Sequence, residues 1–462
     1  METRTFSLRE VSTGLQHRLE AVPRVGFWGA ASANVLNMVG VGPFLTIPLA
    51  LSAMGGPQAM LGWILGAFVS MCDGMVWAEL GSAMPVDGGP YHYLLQAFGP
   101  RSFGRLFAFL FLWQAIVLGP ISIAGGAVGF AQYAGYLLPH LNHAGSVAIA
   151  AAICLLNTAL LYRNIRSIAF LSIGTAVIVL GSTVWIIFTG VTHFHRAVAF
   201  DFPPGAFHLN HAFFVGLGAS TLIAMYDYGG YYNVCLIGNE VSTPRKTIPR
   251  SILFSIVLIA VIYLAMNISI IGLVPWREAM HSQTIVADFM VRAYGSAGGT
   301  AIATLVLVAS FGSVFAILLG YSRIPYAAAV EGQFFSIFGR LHPRGKFPYV
   351  SLLAMGFCSA LACLFTLESL ITALIVTQTL LQFAAQCVAV MLLRRQKRAL
   401  ADIYRMPLYP VPALIALCGW LYIVFTSGWL YIALAGVFLI IGIAIFLLRA
   451  RQQVSWPFSE AV

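Results

Sequence analysis

The chain has 462 residues, 60% hydrophobic and only 9% charged, with a mean hydropathy of +0.88. So few charges cannot cover a water-soluble protein of this size, which leaves an all-α integral membrane protein and sets aside a division into soluble domains by length. A formal charge of +10 would suit nucleic acid if it formed one patch, but here it is strung between apolar stretches.

Residues 1–24 carry Arg4, Arg9, Arg18 and Arg24 without an apolar core, so they are read as a cytoplasmic segment and not as a cleavable signal. Positions 9–24 carry an amphipathic pattern suited to a helix on the membrane surface. Twelve apolar segments follow, each near the ~20 residues that cross a bilayer core. The first covers 25–54 and is interrupted at Val39, Gly40, Val41 and Gly42. The second follows Pro57 and ends near Leu80; its Asp73 lies in the cytoplasmic half, within reach of interfacial water, and is read as structural. A polar stretch, 82–91, leads through a short helix to the third span, 104–138. An external turn at 140–144 precedes the fourth span, which ends at 162–164, and the fifth covers 167–191.

The external loop 192–210 brings His193, His195, His208 and His211 near Asp201, but prolines separate them, so solvated histidines and no metal site are expected. The sixth span, 212–238, contains Tyr226, Asp227, Tyr228, Gly229, Gly230, Tyr231 and Tyr232. After a basic stretch at 244–250 come the seventh span, 251–273, and a partly helical external segment, 275–295. The eighth span reaches Gly320, the ninth covers 348–366, and the tenth ends at 394–398. Two more, 407–426 and 429–448, complete the set. With cytoplasmic segments at both termini and after every even-numbered span, all 25 Lys and Arg except Arg196, Arg277 and Arg292 lie in or beside them. That asymmetry puts both termini in the cytoplasm and accounts for the basic charge without a nucleic-acid partner. The seven cysteines all lie in apolar segments and read as buried small hydrophobes, neither disulfides nor metal ligands.

Adjacent glycines and a carboxylate have no use on a lipid-facing helix, since each glycine costs roughly 1 kcal/mol against alanine and the charge is expensive at that depth. If 25–191 and 212–398 are related five-span repeats, followed by an extra pair in 399–462, their first members are the two that carry breaks. Matching interruptions of this kind point to a transporter's substrate site. Glycine also serves plain helix packing; both breaks occurring together, each with polar neighbours, is what favours a site. The N–H groups freed at Gly40, Val41 and Gly42 suit a substrate carboxylate. Carbonyls at Asn37, Met38 and Val39, and at Tyr226 to Tyr228, suit an ammonium, so an α-amino acid matches both poles. Tyr226 is the expected lid, with Tyr228 and Tyr231 as further lining. Asp227 is a candidate proton carrier, a partner for a cationic group, or a structural acceptor. Ser310 and Ser313 could offer hydroxyls to a sodium ion or bond their own helix. No cofactor is expected.

These residues resemble those of the amino acid–polyamine–organocation superfamily. Gly40-Val41-Gly42-Pro43-Phe44 is similar to its Gly-Ser-Gly-Ile-Phe motif, and Tyr228-Gly229-Gly230-Tyr231 to the Tyr-Gly-Gly-Trp of L-type amino acid transporters. Ala78-Glu79-Leu80-Gly81 with Gly88-Gly89-Pro90-Tyr91 resembles its second-to-third span signature. Residues 239–249, Phe311-Gly312-Ser313-Val314, Ser322-Arg323 and Glu331-Gly332 resemble further stretches of that branch. The resemblance implies a LeuT-like fold of five plus five inverted repeats within 12 transmembrane helices, with helices 1 and 6 discontinuous. It also implies alternating access, a bound amino acid backbone and an aromatic gate at Tyr226.

Three departures bear on substrate and coupling. Val41 replaces the motif's serine, no lysine stands between Ser167 and Val191 where some relatives use one in place of sodium, and Asp227 replaces a small or apolar residue. Residues 42–44 and 72–89 also resemble polyamine uptake transporters, and Asp227 would suit a polycation. L-type relatives often pair with a single-span glycoprotein through a loop cysteine; the loop 139–145 has none, so no such partner is expected. The expected function is secondary transport of an amino acid, by proton symport or exchange, in a bacterial inner membrane. A polyamine is the alternative substrate. A membrane enzyme is remote, because no histidine lies mid-membrane and no catalytic constellation appears.

Overall fold

Glycine and proline punctuate the apolar sequence, and many helices of the computed structural model start or stop beside them. The structure describes residues 25–86, 88–163, 168–330, 332, 334–343, 345, 347–396, 404–452 and 456–458, with only the backbone at 163 and 168–173. The expected surface helix at 9–24, Asp87, the end of the fourth span at Asn164, and Glu331 lie outside the described residues.

The chain opens with α1 (Phe27–Met38) and α2 (Pro43–Met54), followed by α3 (Met60–Ala83), the short α4 (Gly89–Ala97), α5 (Phe103–Leu137), α6 (His143–Arg163) and α7 (Ile168–Thr192). After α8 (Arg196–Ala199) in the loop come α9 (His211–Tyr228), α10 (Pro244–Ile271), the one-turn α11 (Trp276–Ala279) and α12 (Ile285–Val330). The last are α13 (Tyr349–Ala362), α14 (Leu367–Gln378), α15 (Ala384–Arg395), α16 (Val411–Thr426) and α17 (Trp429–Gln452). Among the described residues eight spans are long and apolar enough to cross a bilayer, or nine when α1 and α2, bent by 55°, are counted as one. Among the described residues there is no strand, only an isolated bridge from Val25 to Val241. The chain is therefore a multi-pass helical membrane protein.

Some details depart from the sequence reading. The helix α12 runs for 46 residues, from within the expected external segment to ten past Gly320, and turns at Gly295 (φ 74°). Between α14 and α15 the backbone passes through a π-turn, Thr379–Phe383. Cys358 and Cys418 are exposed on the outside of the bundle, whereas the other five cysteines are buried. A small thiol is tolerated on a face turned to lipid, so apolar context alone did not place it inside.

Packing holds the breaks in position. The helix α3 lies along both α10 and α9, α5 lies along α12, and α9 rests on α2. Close approach depends on small residues, as expected where lipid is as apolar as the interface. A Cβ on Gly62 of α3 would lie 2.3 Å from Ser220 Oγ and 2.8 Å from the Ser220 carbonyl carbon on α9. At the C-terminal end of α3, Arg394 donates two bonds of 2.6 Å to Glu79, which also accepts from the Met406 N–H at 2.8 Å. The Arg394 guanidinium lies 3.9 Å over the Tyr409 ring, so this corner fastens α15 and the start of α16 to α3.

Candidate functional site at two helix breaks

The first break begins where the Val39 N–H makes the last α-helical bond, to Val35 O. Proline at 43 then restarts the helix as its first residue, where a missing N–H costs nothing. Among the described residues, the Val41 and Gly42 N–H groups donate to no protein acceptor. They open α2 with its positive dipole end, an arrangement that receives anions. Beside Gly40 there is open space: a Cβ there would meet nothing within 4 Å.

The second break follows Tyr228. Gly230 takes φ +112°, which only glycine adopts freely, and the chain continues as two one-turn 3-10 helices, Asn233–Leu236 and Gly238–Glu240. The α-helical second half expected to 238 is thus replaced by tighter turns. The two breaks touch. A Cβ on Gly230 would come within 2.7 Å of Asn37 Nδ2, and one on Gly42 within 2.4 Å of Asp227 Oδ1 and 3.2 Å of Tyr226 Cε1. Asn34 Oδ1 accepts the Val234 N–H at 2.9 Å, and Tyr263 of α10 donates to Met38 O at 2.7 Å, tying the end of α1 to its neighbours.

Asp227 is 4% exposed and accepts one bond, from Thr46 Oγ1 on α2 at 2.6 Å. Among the described residues its other oxygen, Oδ1, has no hydrogen-bond partner. A bare buried carboxylate oxygen is costly in the protein alone, and it lies against the backbone of Gly42. The Tyr226 ring passes over Gly42 and its hydroxyl reaches α5, where a Cβ on Gly125 would lie 3.5 Å away. The side chain thus spans from the first break to α5.

The remaining sequence candidates are distributed as follows. Asn37, Met38, Val39, Gly40, Val41 and Gly42 form the first break; Asp227, Tyr228, Gly229, Gly230 and Tyr231 belong to the second. The Tyr228 hydroxyl donates to Trp63 O at 3.2 Å and the Tyr231 hydroxyl to Asp73 Oδ2 at 2.5 Å, both on α3 and away from Gly42. Their side chains anchor the break, so only their backbone is left to meet a ligand. Ser310 and Ser313 sit on α12, which packs against α2. Among the described residues Ser310 Oγ is buried without a partner, so it does not bond back to its own helix. Asp73, expected within reach of water, is instead completely buried. Among the described residues no group of three or more His, Cys, Asp or Glu could hold a metal.

Sequence reasoning missed Thr46, Tyr263 and Gly125. Thr46 had a faint signal, since it stands four residues after Gly42 and so on the same face of a helix beginning there. Tyr263 and Gly125 come from distant spans and leave no such trace.

A family model described as amino acid permease matches residues 25–459. The serine/threonine exchanger SteT of Bacillus subtilis (strain 168) is 25% identical over 437 residues, covering 91% of this chain and 94% of its own. Cationic amino acid transporter 4 of Mus musculus is 29% identical over 393 residues, covering 79% of this chain but only 58% of its own. Asc-type amino acid transporter 1 of Homo sapiens is 25% identical over 457 residues, covering 94% of this chain and 84% of its own.

Proposed function

Because the chain belongs to the amino acid permease family, we propose that it carries an amino acid across the membrane by alternating access, with the substrate held where the two breaks meet. One observation carries this reading: among the described residues the N–H groups of Val41 and Gly42 are unbonded where they open α2, and Gly42 lies against the bare Oδ1 of Asp227. Main-chain donors suit a carboxylate and the acid suits an ammonium, so a zwitterion answers both. Tyr226 closes over it as the gate. Asp227 is the proton-coupling group, being the single carboxylate at the breaks; Ser310 and Ser313 are the candidate hydroxyls for a sodium ion. Transport runs as proton symport or exchange.

Twelve spans follow if α9, α13 and α16 are counted with the nine, and α14, the π-turn and α15 as one. The first repeat then takes 25–191 and the second 212–398, each opening on a broken helix, with 399–462 supplying the extra pair after the cytoplasmic 1–24. Both termini are cytoplasmic, in the plasma membrane of a bacterium. A single-span partner is not needed.

A polyamine is the second reading, favoured because no basic side chain among the described residues partners Asp227. Proteoliposomes loaded with L-serine, L-lysine or buffer, tested with radiolabelled amino acids against spermidine as competitor, decide between them. Amino acid uptake that excess amino acid suppresses and spermidine does not is the expected result. Suppression by spermidine with no amino acid carried overturns the reading.

A further inference from the structure

A cavity of about 310 Å³ opens between α2, α9, α14 and the junction of α16 with α17. Its polar wall consists of Ser52, Glu368, Thr372, Thr426, Ser427 and Tyr431, and among the described residues no Lys, Arg, His or side-chain amide lines it. Most of the hydroxyl protons are already engaged. Thr372 donates to Glu368 O at 2.8 Å, Thr426 to Tyr422 O at 2.9 Å, Ser427 to Val424 O at 2.7 Å and Tyr431 to Ser369 Oγ at 3.1 Å. What these oxygens have left are lone pairs. Glu368 adds an exposed carboxylate that no described residue pairs. The wall therefore accepts hydrogen bonds and carries negative charge.

Helical spacing places this cavity directly above the site at the breaks. Ala53 and Leu49 line its floor on α2, and Thr46 is the next residue along the same face. On α9 the lining Ala219 and Ile223 continue at the same spacing to Asp227. Asp227 is thus the carboxylate two turns along that face of α9 from Ala219.

We infer that this cavity is an outer capture site for a small organic ammonium, which waits there before its amine engages Asp227. The inference rests on the transport reading for its direction, since it takes this end of the bundle as external. The class follows from the wall: a carboxylate would meet like charge and, apart from Ser52, hydroxyls whose protons are already engaged, whereas an ammonium offers three donors. The volume suits an organic cation, being at the lower end of the roughly 300–1,000 Å³ of small-molecule pockets. A bare metal ion needs oxygens converging at about 2.3–2.6 Å, which so roomy a wall does not provide.

The test uses cadaverine, a diamine without a carboxylate, on protein in nanodiscs. Binding of radiolabelled cadaverine is measured in wild type, Glu368→Gln, Asp227→Asn and the double variant. Glu368 is exposed, so its replacement leaves the fold intact. At low ionic strength Glu368→Gln is expected to weaken binding about two- to fivefold, the range of an exposed ion pair, and salt is expected to shrink the difference. Asp227→Asn should retain a bound fraction that the double variant loses. Equal cadaverine affinity with and without Glu368, or no binding to wild type, overturns the inference. So does displacement by sodium that choline at equal ionic strength does not reproduce, which would make this a metal ion site. Amino acid uptake by the same wild-type protein is scored separately: uptake without Glu368-dependent cadaverine binding sinks the capture site alone, and absent uptake sinks the transport reading.

Discussion

Among the described residues two aspartates are buried, and their surroundings are opposite. Asp73 on α3 accepts the Tyr231 hydroxyl at 2.5 Å, the Trp420 indole N–H at 3.1 Å and the Cys387 thiol at 3.7 Å. Those donors come from the second break, from α16 and from α15. Asp227 accepts one hydroxyl and leaves an oxygen bare beside Gly42. A carboxylate ringed by donors is a joint, because its neighbours cannot move without leaving a polar group unpaired. A carboxylate with a bare oxygen next to a helix break is set up for something that arrives. The same residue type is thus fully engaged at one place and half bare at the other, which is why the second is the proposed receptor.

The largest effect should come from removing the joint. Asp73→Ala strips the acceptor from two buried strong donors, at about 1–3 kcal/mol for each group left unsatisfied. A loss of about 3–5 kcal/mol is expected, read as a lower unfolding temperature in detergent, together with loosening of the Tyr231 segment. Wild-type stability in this variant would erase the contrast, because Asp73 would then be no more engaged than Asp227.

A smaller effect is expected from filling the gap on the other side. Gly42→Ala puts a methyl 2.4 Å from Asp227 Oδ1 and forces the carboxylate or the Tyr226 ring aside. Overpacking of this kind typically costs about 1–3 kcal/mol. Uptake should fall much further than stability does, because the methyl occupies the ligand's place. Adding Asp227→Ala should recover stability while leaving uptake dead, the non-additivity expected of residues in contact. Full uptake by Gly42→Ala would show that nothing binds between Gly42 and Asp227.

How far the sequence exposed these two sites follows from which signals are local. Both breaks were legible, since glycine pairs and Pro43 act on their own backbone: α1 stops at Met38 and α9 at Tyr228, next to the glycines that flagged them. The partners of each acid were not. Asp73 looked water-accessible when counted along α3 alone, but Trp420 and Cys387, more than three hundred residues later, close over it. Tyr228 and Tyr231 looked like pocket lining because a tyrosine-rich stretch does not announce which helix it will face. The 14-residue α13 and the 16-residue α16 were counted as full spans by hydropathy, although length alone leaves them short of one. Thr46 needed the start of α2 to be fixed before its face could be assigned.

The mildest change structurally is the most informative functionally. Asp227→Asn keeps the side chain's shape and an oxygen for Thr46 Oγ1, and it removes a buried charge that lacks a full set of partners. Stability should therefore stay within about 1 kcal/mol of wild type. Transport should divide into two parts. Counterflow exchange needs only the ligand to fit at the breaks and should remain measurable. Accumulation against a gradient needs a group that can take up and release a proton, and an amide cannot. Proteoliposomes with an imposed proton gradient, assayed across a pH series, would then show exchange without accumulation. Accumulation equal to wild type at every pH removes Asp227 from coupling, and a stability loss as large as that of Asp73→Ala removes the difference between joint and receptor.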